Sequence, residues 1–496
     1  MKAALPGGVT LPRALVLARA LRPRGAVLQV GDGVARVSGL TEVGYQELVL
    51  FDSGARGMAY DLGPDSVGVV LLTEADAVRA GESVVAAGRL PSVPAGVSLC
   101  GRLLDPLGQP LDGGPPPVEP LRAVFQDAPA LRQRAAVQHP LFTGVMAIDT
   151  AMPIGRGQRQ LIVGDRNTGK SALALDMVAA QRDSDVVCVY VIIGQPLSRV
   201  LGIRESLAAA DALQHTVMVA AEAAETPGMQ YLAPYAATAI AEFFRDQGRD
   251  VLVVYDDLTK HADAYREMAL LLGQPPGREA FPGDIFYIHA ELLERATPLN
   301  ADNGGGSLTA FPVVETTDSD ISAYIPTNLI SITDGQIYLD SGRFERNLRP
   351  AIDIGRSVSR IGGAAQSPLM RQVAHKVRID MARFESLETL TRVGLDVDPD
   401  TRQALARGRL LRELLRQPRF TRRSPADQVL ALSAVTQGWL DGMTPSRAAA
   451  LVWQAGEHLA REEPDLVAAL NVGQAPPENW LRQLQQRVVQ SREREA

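Results

Sequence analysis

The sequence predicts a multidomain chain: a β-barrel, then an α/β domain built around a phosphate-binding loop, then an α-helical domain. Three observations predict it. Short β-forming segments punctuated by glycine fill residues 25–90. Apolar strands then alternate with helical stretches around the sequence GDRNTGKS at 164–171. After about Pro368 the strand-like runs stop, and apolar residues recur at helical spacing.

The 496 residues and 46% hydrophobic content suit about three ordinary globular domains. The boundaries read from texture are an N-terminal arm over 1–23, a barrel over 24–90, a nucleotide-binding domain over 91–368 and a helical domain over 369–496. The arm carries Arg13, Arg19 and Arg22 within its apolar stretch, which a secretory signal would leave unbroken. No apolar run nears the ~20 residues that span a bilayer, so a soluble chain is expected, with membrane contact only through other subunits. A formal charge of −7 argues against nucleic acid as a partner. Cys100 and Cys188 form no CxxC pair and read as reduced thiols.

The barrel is expected from Ala26–Val30, Ala35–Val37, Glu47–Phe51 and Val67–Leu72, each short and rich in β-formers. Residues 91–120, dense in proline and glycine, read as a linker or a run of turns. Strands are expected at Gln160–Val163, Val186–Ile193, Thr216–Ala220 and Asp250–Tyr255. Helices are expected from Lys170, near Leu197–Ala210 and near Tyr231–Asp246. This alternation predicts a largely parallel sheet. The last domain starts with Val373, Val377, Met381, Phe384 and Leu387 on one helical face, and continues through Gln403–Leu415 and Asp427–Leu440.

The sequence from Gly164 to Ser171 satisfies G-x-x-x-x-G-K-[ST] between a strand and a helix. Gly164, Asp165, Arg166, Asn167, Thr168 and Gly169 form the loop whose backbone N–H groups would close on phosphate. Lys170 would reach the β- and γ-phosphates, and Ser171 would offer its hydroxyl to Mg²⁺. Asp256, at the tip of an apolar strand, is the second Mg²⁺-ordering candidate.

Around these motifs lie GRGQRQ (155–160), QYLAPY (230–235), YDDLTKHADAYREM (255–268), PPGREAFPGD (275–284), SAYIPTNLISITDGQIYL (322–339) and SVSRIGGAAQ (357–366). Together they make nearly the whole chain resemble the alpha subunits of F-type ATP synthases. The resemblance implies a RecA-like P-loop domain and a ring of alternating alpha and beta subunits. It also implies a gamma shaft, a peripheral-stalk partner, coupling of ATP synthesis or hydrolysis to ion translocation, and a place on the cytoplasmic face of a bacterial membrane. It implies ATP or ADP with Mg²⁺ held without rapid turnover, because Gln195 stands where the catalytic beta-type subunit has glutamate. An amide is a poor proton acceptor, although small GTPases position water with a glutamine. By the same resemblance Arg360 is an arginine finger given to the neighbouring site, with Ser357 and Ser331 beside it. Phe344, Arg349, Pro350 and Gln417 then surround adenine, and Glu315 lies near Mg²⁺.

The chain departs from that pattern at several places. Asn167 replaces glutamine, Pro196-Leu197 replace a basic pair, Arg419 replaces a second glutamine of the adenine pocket, and Gly273-Gln274 replace another basic pair. The arm is basic rather than mixed in charge. These departures suggest a divergent bacterial form from an alternative F-type ATPase operon. An autonomous P-loop ATPase of the secretion or hexameric-helicase type is the competing reading, and steady turnover by the isolated chain would favour it. A scaffold that has lost nucleotide binding is the other, and the intact Lys170, Ser171 and Asp256 count against it.

Overall fold

The structure, a computed structural model, describes residues 23–392, 398–473 and 478–495. The arm expected over 1–23 lies, except for Pro23, outside the described residues. Six strands form a closed barrel: β1 (Arg24–Gly31), β2 (Val34–Ser38), β3 (Leu48–Phe51), β4 (Arg56–Leu62), β5 (Val67–Leu71) and β6 (Ser83–Ala86). Their order around the barrel is β1-β2-β5-β4-β3-β6. Burial alternates along β1 and β2, as closure requires, and Val27, Val37, Val49, Phe51, Val69 and Val84 fill the interior. Strands β4 and β6 were not anticipated; their glycine and serine dilute the β-forming signal.

The central sheet has eight strands. In chain order they are β7 (Leu103–Leu104), β8 (Leu161–Asp165), β9 (Val187–Gln195), β10 (Thr216–Glu222), β11 (Asp250–Asp256), β12 (Ser307–Thr316), β13 (Gly335–Leu339) and β14 (Val358–Ser359). Across the sheet they run β14-β13-β8-β12-β11-β9-β10-β7, all parallel except the edge strand β14. The segment read as a linker or a run of turns, inside the domain expected over 91–368, thus also carries a strand of its sheet. Leu103 and Leu104 are fully buried and pair with Met218 and Val219. The prolines around them confine this strand to an edge.

Four helices position the site: α1 (Lys170–Ala179), α2 (Leu197–Ala209), α3 (Pro227–Asp246) and α4 (Leu258–Leu271). Helix α3 is buried along most of its length, between the sheet and the barrel. The cap residue Thr226 joins them: its hydroxyl accepts from the Met229 N–H at 3.3 Å and donates to the Leu71 carbonyl of β5 at 2.9 Å. A β-carbon at Gly228 would stand 2.5 Å from that same carbonyl, so only glycine lets helix and barrel meet this closely. The described helices from Pro368 onward form the C-terminal bundle, which shares one apolar core with the nearer face of the sheet. The single helical stripe expected after Pro368 is two helices, Pro368–Ala374 and Val377–Arg392. No described helix is long and apolar enough to cross a membrane.

Candidate functional site

Strand β8 is an uninterrupted apolar run, so it sits centrally in the sheet and delivers the loop at its carboxyl end. The loop is held from within. Asp165 accepts hydrogen bonds from the Thr316 hydroxyl at 2.6 Å and from the Ser319 N–H and hydroxyl at 2.8 and 2.7 Å. Burial opposes its charge, but these bonds keep the carboxyl below the usual range. Thr168 is buried and donates to the Asp165 carbonyl at 2.8 Å. Gly169 turns the chain into α1 with φ of 97°, a left-handed conformation suited to glycine. Asn167 also lies in that region, at φ of 65°. Asparagine tolerates it better than most side chains, which gives this departure from glutamine a backbone reason.

The Lys170 ammonium is buried and donates to the carbonyls of Gly164 and Asp165 at 2.9 and 2.7 Å. Burial pulls its pKa down, against the nearby charges of Glu315, Asp257, Asp256 and Asp165. Glu315 lies 3.9 Å from that ammonium and 3.5 Å from exposed Arg166. Its backbone N–H donates to Thr259 at 2.9 Å, tying β12 to α4.

Asp256 ends β11 fully inside the domain and accepts from the Tyr190 hydroxyl at 2.8 Å. Burial pushes its pKa up; the bonds from Tyr190 and Ser171, and the charges of Arg199 and Lys170, work the other way. Asp257 caps α4 through the Lys260 N–H at 2.9 Å. Burial, then the Asp256 charge, raises it to about 7. Ser171, Asp256 and Glu315 present hard oxygen donors beside a lysine and a glycine loop, which fits a nucleotide phosphate chain with Mg²⁺. Among the described residues no group of three His, Cys, Asp or Glu side chains is placed to hold a metal. A metal here would rely on Ser171, one or two carboxylates and phosphate oxygens, which is how Mg²⁺ is usually bound.

Beyond the loop a cavity of about 640 Å³ runs toward the helical domain. Phe344, Arg349 and Pro350 line one wall, and the Arg349 guanidinium lies 4.6 Å from the Phe344 ring centre. Gln417 reaches the cavity from the helical domain, but its amide is engaged. It accepts from the Met146 N–H at 3.1 Å and donates to the carbonyls of Gly144, at 2.7 Å, and Thr421. Sequence reasoning offered this amide to the base, whereas here it fastens three backbone groups on two segments.

Gln195 is half-buried at the tip of β9, opposite Glu222. Arg360 lies elsewhere. Its N–H bonds the Asp334 carbonyl at the amino end of β13, whereas Leu339 at the other end pairs with Gly164. Five residues of strand separate the two, about 16 Å and beyond the reach of an arginine side chain. The Arg360 side chain is exposed, with one 3.4 Å contact to the Ile330 carbonyl. Ser331 is exposed nearby and bonds Thr327 at 2.9 Å. Ser357 does not line that surface. It is fully buried, donating to the Asp353 carbonyl at 2.6 Å and accepting the Tyr338 N–H at 2.9 Å, so it braces the segment that carries Arg360.

Sequence reasoning passed over Tyr190, one aromatic in an apolar strand, and nothing local marks it as the partner of Asp256. It also passed over Asp176, six residues after Lys170 on α1, which lines the cavity; a lone acid in an apolar helix was the available signal.

Residues 144–359 match the nucleotide-binding domain of the ATP synthase alpha/beta family, residues 366–490 its C-terminal domain, and residues 22–88 its β-barrel domain. The chain is 52% identical over 425 residues to ATP synthase subunit alpha 1 of Marinomonas sp., covering 85% of this chain and 83% of the relative. It is 51% identical over 418 residues to ATP synthase subunit alpha 2 of Syntrophotalea carbinolica, covering 84% and 80%. Barrel, P-loop sheet and helical bundle therefore occur here in that family's order, and the identity to two alpha subunits over more than four fifths of this chain favours the alpha reading over the secretion-ATPase and helicase one. The chain belongs to the ATP synthase alpha/beta family, and within it to the alpha subunits of the F-type complex.

Proposed function

We propose that this chain holds Mg-ATP or Mg-ADP without rapid turnover and completes the catalytic site of an adjoining beta subunit with Arg360. In this reading Lys170 and the loop amides bind the phosphates, Ser171 and Asp256 order Mg²⁺ with Glu315 nearby, and Phe344, Arg349 and Pro350 enclose the base. The bound Mg²⁺ would neutralise phosphate charge; everything else falls to the chain's own groups. Gln195 has no proton-accepting carboxylate to offer an attacking water.

The observation that carries the reading is the position of Arg360. It stands on the rim opposite the chain's own phosphate loop, exposed and with one long hydrogen bond. Positive charge on a transferring phosphoryl group is worth about 10³–10⁵ in rate; from this rim the side chain does not reach the chain's own phosphate loop, which supports the nucleotide of an adjoining subunit as its target. The alternating ring with beta, the gamma shaft, the peripheral stalk, ion coupling and a peripheral place on the cytoplasmic membrane face complete the proposal.

Paired assays test it: Mg-ATP binding and hydrolysis by the purified chain, and hydrolysis by the complex reconstituted with beta and gamma, with and without Arg360→Ala. Binding without turnover, together with collapse of the complex's activity in the variant, is expected. Steady turnover by the lone chain would instead make Gln195 a water-positioning residue.

A further inference from the structure

We propose that the base end of this cavity accepts guanine nucleotides as readily as adenine nucleotides, with Arg419 and Asp176 reading the edge of the base. The inference rests on the reading that the cavity holds a nucleotide.

An amide suits adenine because it offers one donor and one acceptor side by side, whereas a guanidinium suits the O6 and N7 acceptors of guanine. The amide best placed to act here is spent. Both N–H groups of Gln417 go to backbone carbonyls and its oxygen takes the Met146 N–H. Releasing them would strand three backbone groups, each costly to leave unpaired when desolvated. Asn347 offers a second amide only from an exposed turn on the lip beside Phe344.

Arg419 and Asp176 line the same cavity, and one residue holds both. The Phe420 N–H donates to Asp176 Oδ1 at 2.8 Å, which leaves Oδ2 to accept from a ligand. The Arg419 guanidinium lies 4.6 Å from the Phe420 ring centre. Phe420 itself has φ of 58°. That left-handed conformation is an outlier for a bulky side chain and persists only where the surroundings enforce it. The strained turn thus brings a donor fork and an acceptor to the same cavity. Guanine matches the groups left free: O6 and N7 accept from Arg419, while N1–H and the N2 amino group share Oδ2 of Asp176. Adenine matches it in part, through its N6 amino group and a ring nitrogen. Asp176 has a raised pKa of about 6, from burial first, with the Phe420 bond and Arg419 opposing, so it is mostly ionised at neutral pH.

The test is titration of the full-length chain with fluorescent mant-ATP and mant-GTP, each displaced by unlabelled ATP and GTP. The expected result is an affinity for GTP at least equal to that for ATP. Arg419→Gln, on an exposed side chain, should then favour ATP by about tenfold, the worth of one good base contact. Asp176→Asn keeps an acceptor for the Phe420 N–H and should weaken GTP more than ATP. A wild-type preference for ATP above about a hundredfold, or an ATP-to-GTP ratio that neither substitution moves, overturns the proposal while leaving the nucleotide-holding reading intact. If neither nucleotide binds, or Lys170→Ala leaves binding untouched, that reading fails and the proposal with it.

Discussion

The two ends of the paired strands β8 and β13 are built differently. At the carboxyl end Lys170 is tied to two carbonyls and Asp165 to Thr316 and Ser319, and Asp256 at the tip of nearby β11 is tied to Tyr190. At the amino end Arg360 projects into solvent with a single 3.4 Å contact. Groups that bind a ligand within one chain profit from being fixed before it arrives. A residue that serves another subunit must stay free until the interface forms. On the proposed reading, the contrast separates residues that work at home from one that works next door.

The largest effect expected on this basis is that of Arg360→Ala. Steady-state phosphate release by the reconstituted complex should fall about 10³-fold or more, while nucleotide affinity of the isolated chain stays unchanged. Equal losses in both would erase the contrast. Lys170→Ala should do the reverse. Losing its charge-assisted bonds to phosphate costs about 3 kcal/mol, about a hundredfold in Kd, and equilibrium titration of the chain reads it directly. Ser357→Ala lies between the two ends. It leaves the buried Tyr338 N–H without an acceptor, for about 1–3 kcal/mol of stability. Calorimetry should show a lower Tm.

The smallest expected effect is a pH dependence behind the base cavity. Asp149 is buried and accepts from Thr143 and Gln428. Burial raises it to about 6, with those bonds opposing. The native state therefore keeps a proton that the unfolded chain, with a carboxyl near about 3.9, has already released. Stability from this group falls as pH rises through that window, and the penalty persists above it. Asp149→Asn does not titrate, so its Tm relative to wild type should rise between about pH 4 and pH 6. A constant difference across that range would show that Asp149 does not titrate there.

The P-loop, the strand ending in Asp256 and the three-part architecture were legible in the sequence because each is a local pattern. Apolar runs of set length, glycines at set spacing and a shift from strand to helical periodicity need no knowledge of the fold. What stayed hidden depends on contacts far apart in the chain. Leu103–Leu104 looked like linker because proline and glycine surround it, yet it pairs with β10, over a hundred residues away. Ser357 read as an interface serine from its neighbours, and only the positions of Asp353 and Tyr338 make it a brace. Gln417 could not be known to be spent until Gly144 and Met146 came beside it.

The junction at Thr226 and Gly228 has a mechanical consequence. With the helix start bonded to a barrel carbonyl and glycine pressed against it, helix α3 and the barrel meet in a close, rigid contact. A twisting load applied to that helix passes to the barrel, so the two turn as a single lever. In a rotary machine the barrel end then serves as a stiff collar against which the rest of the subunit can flex.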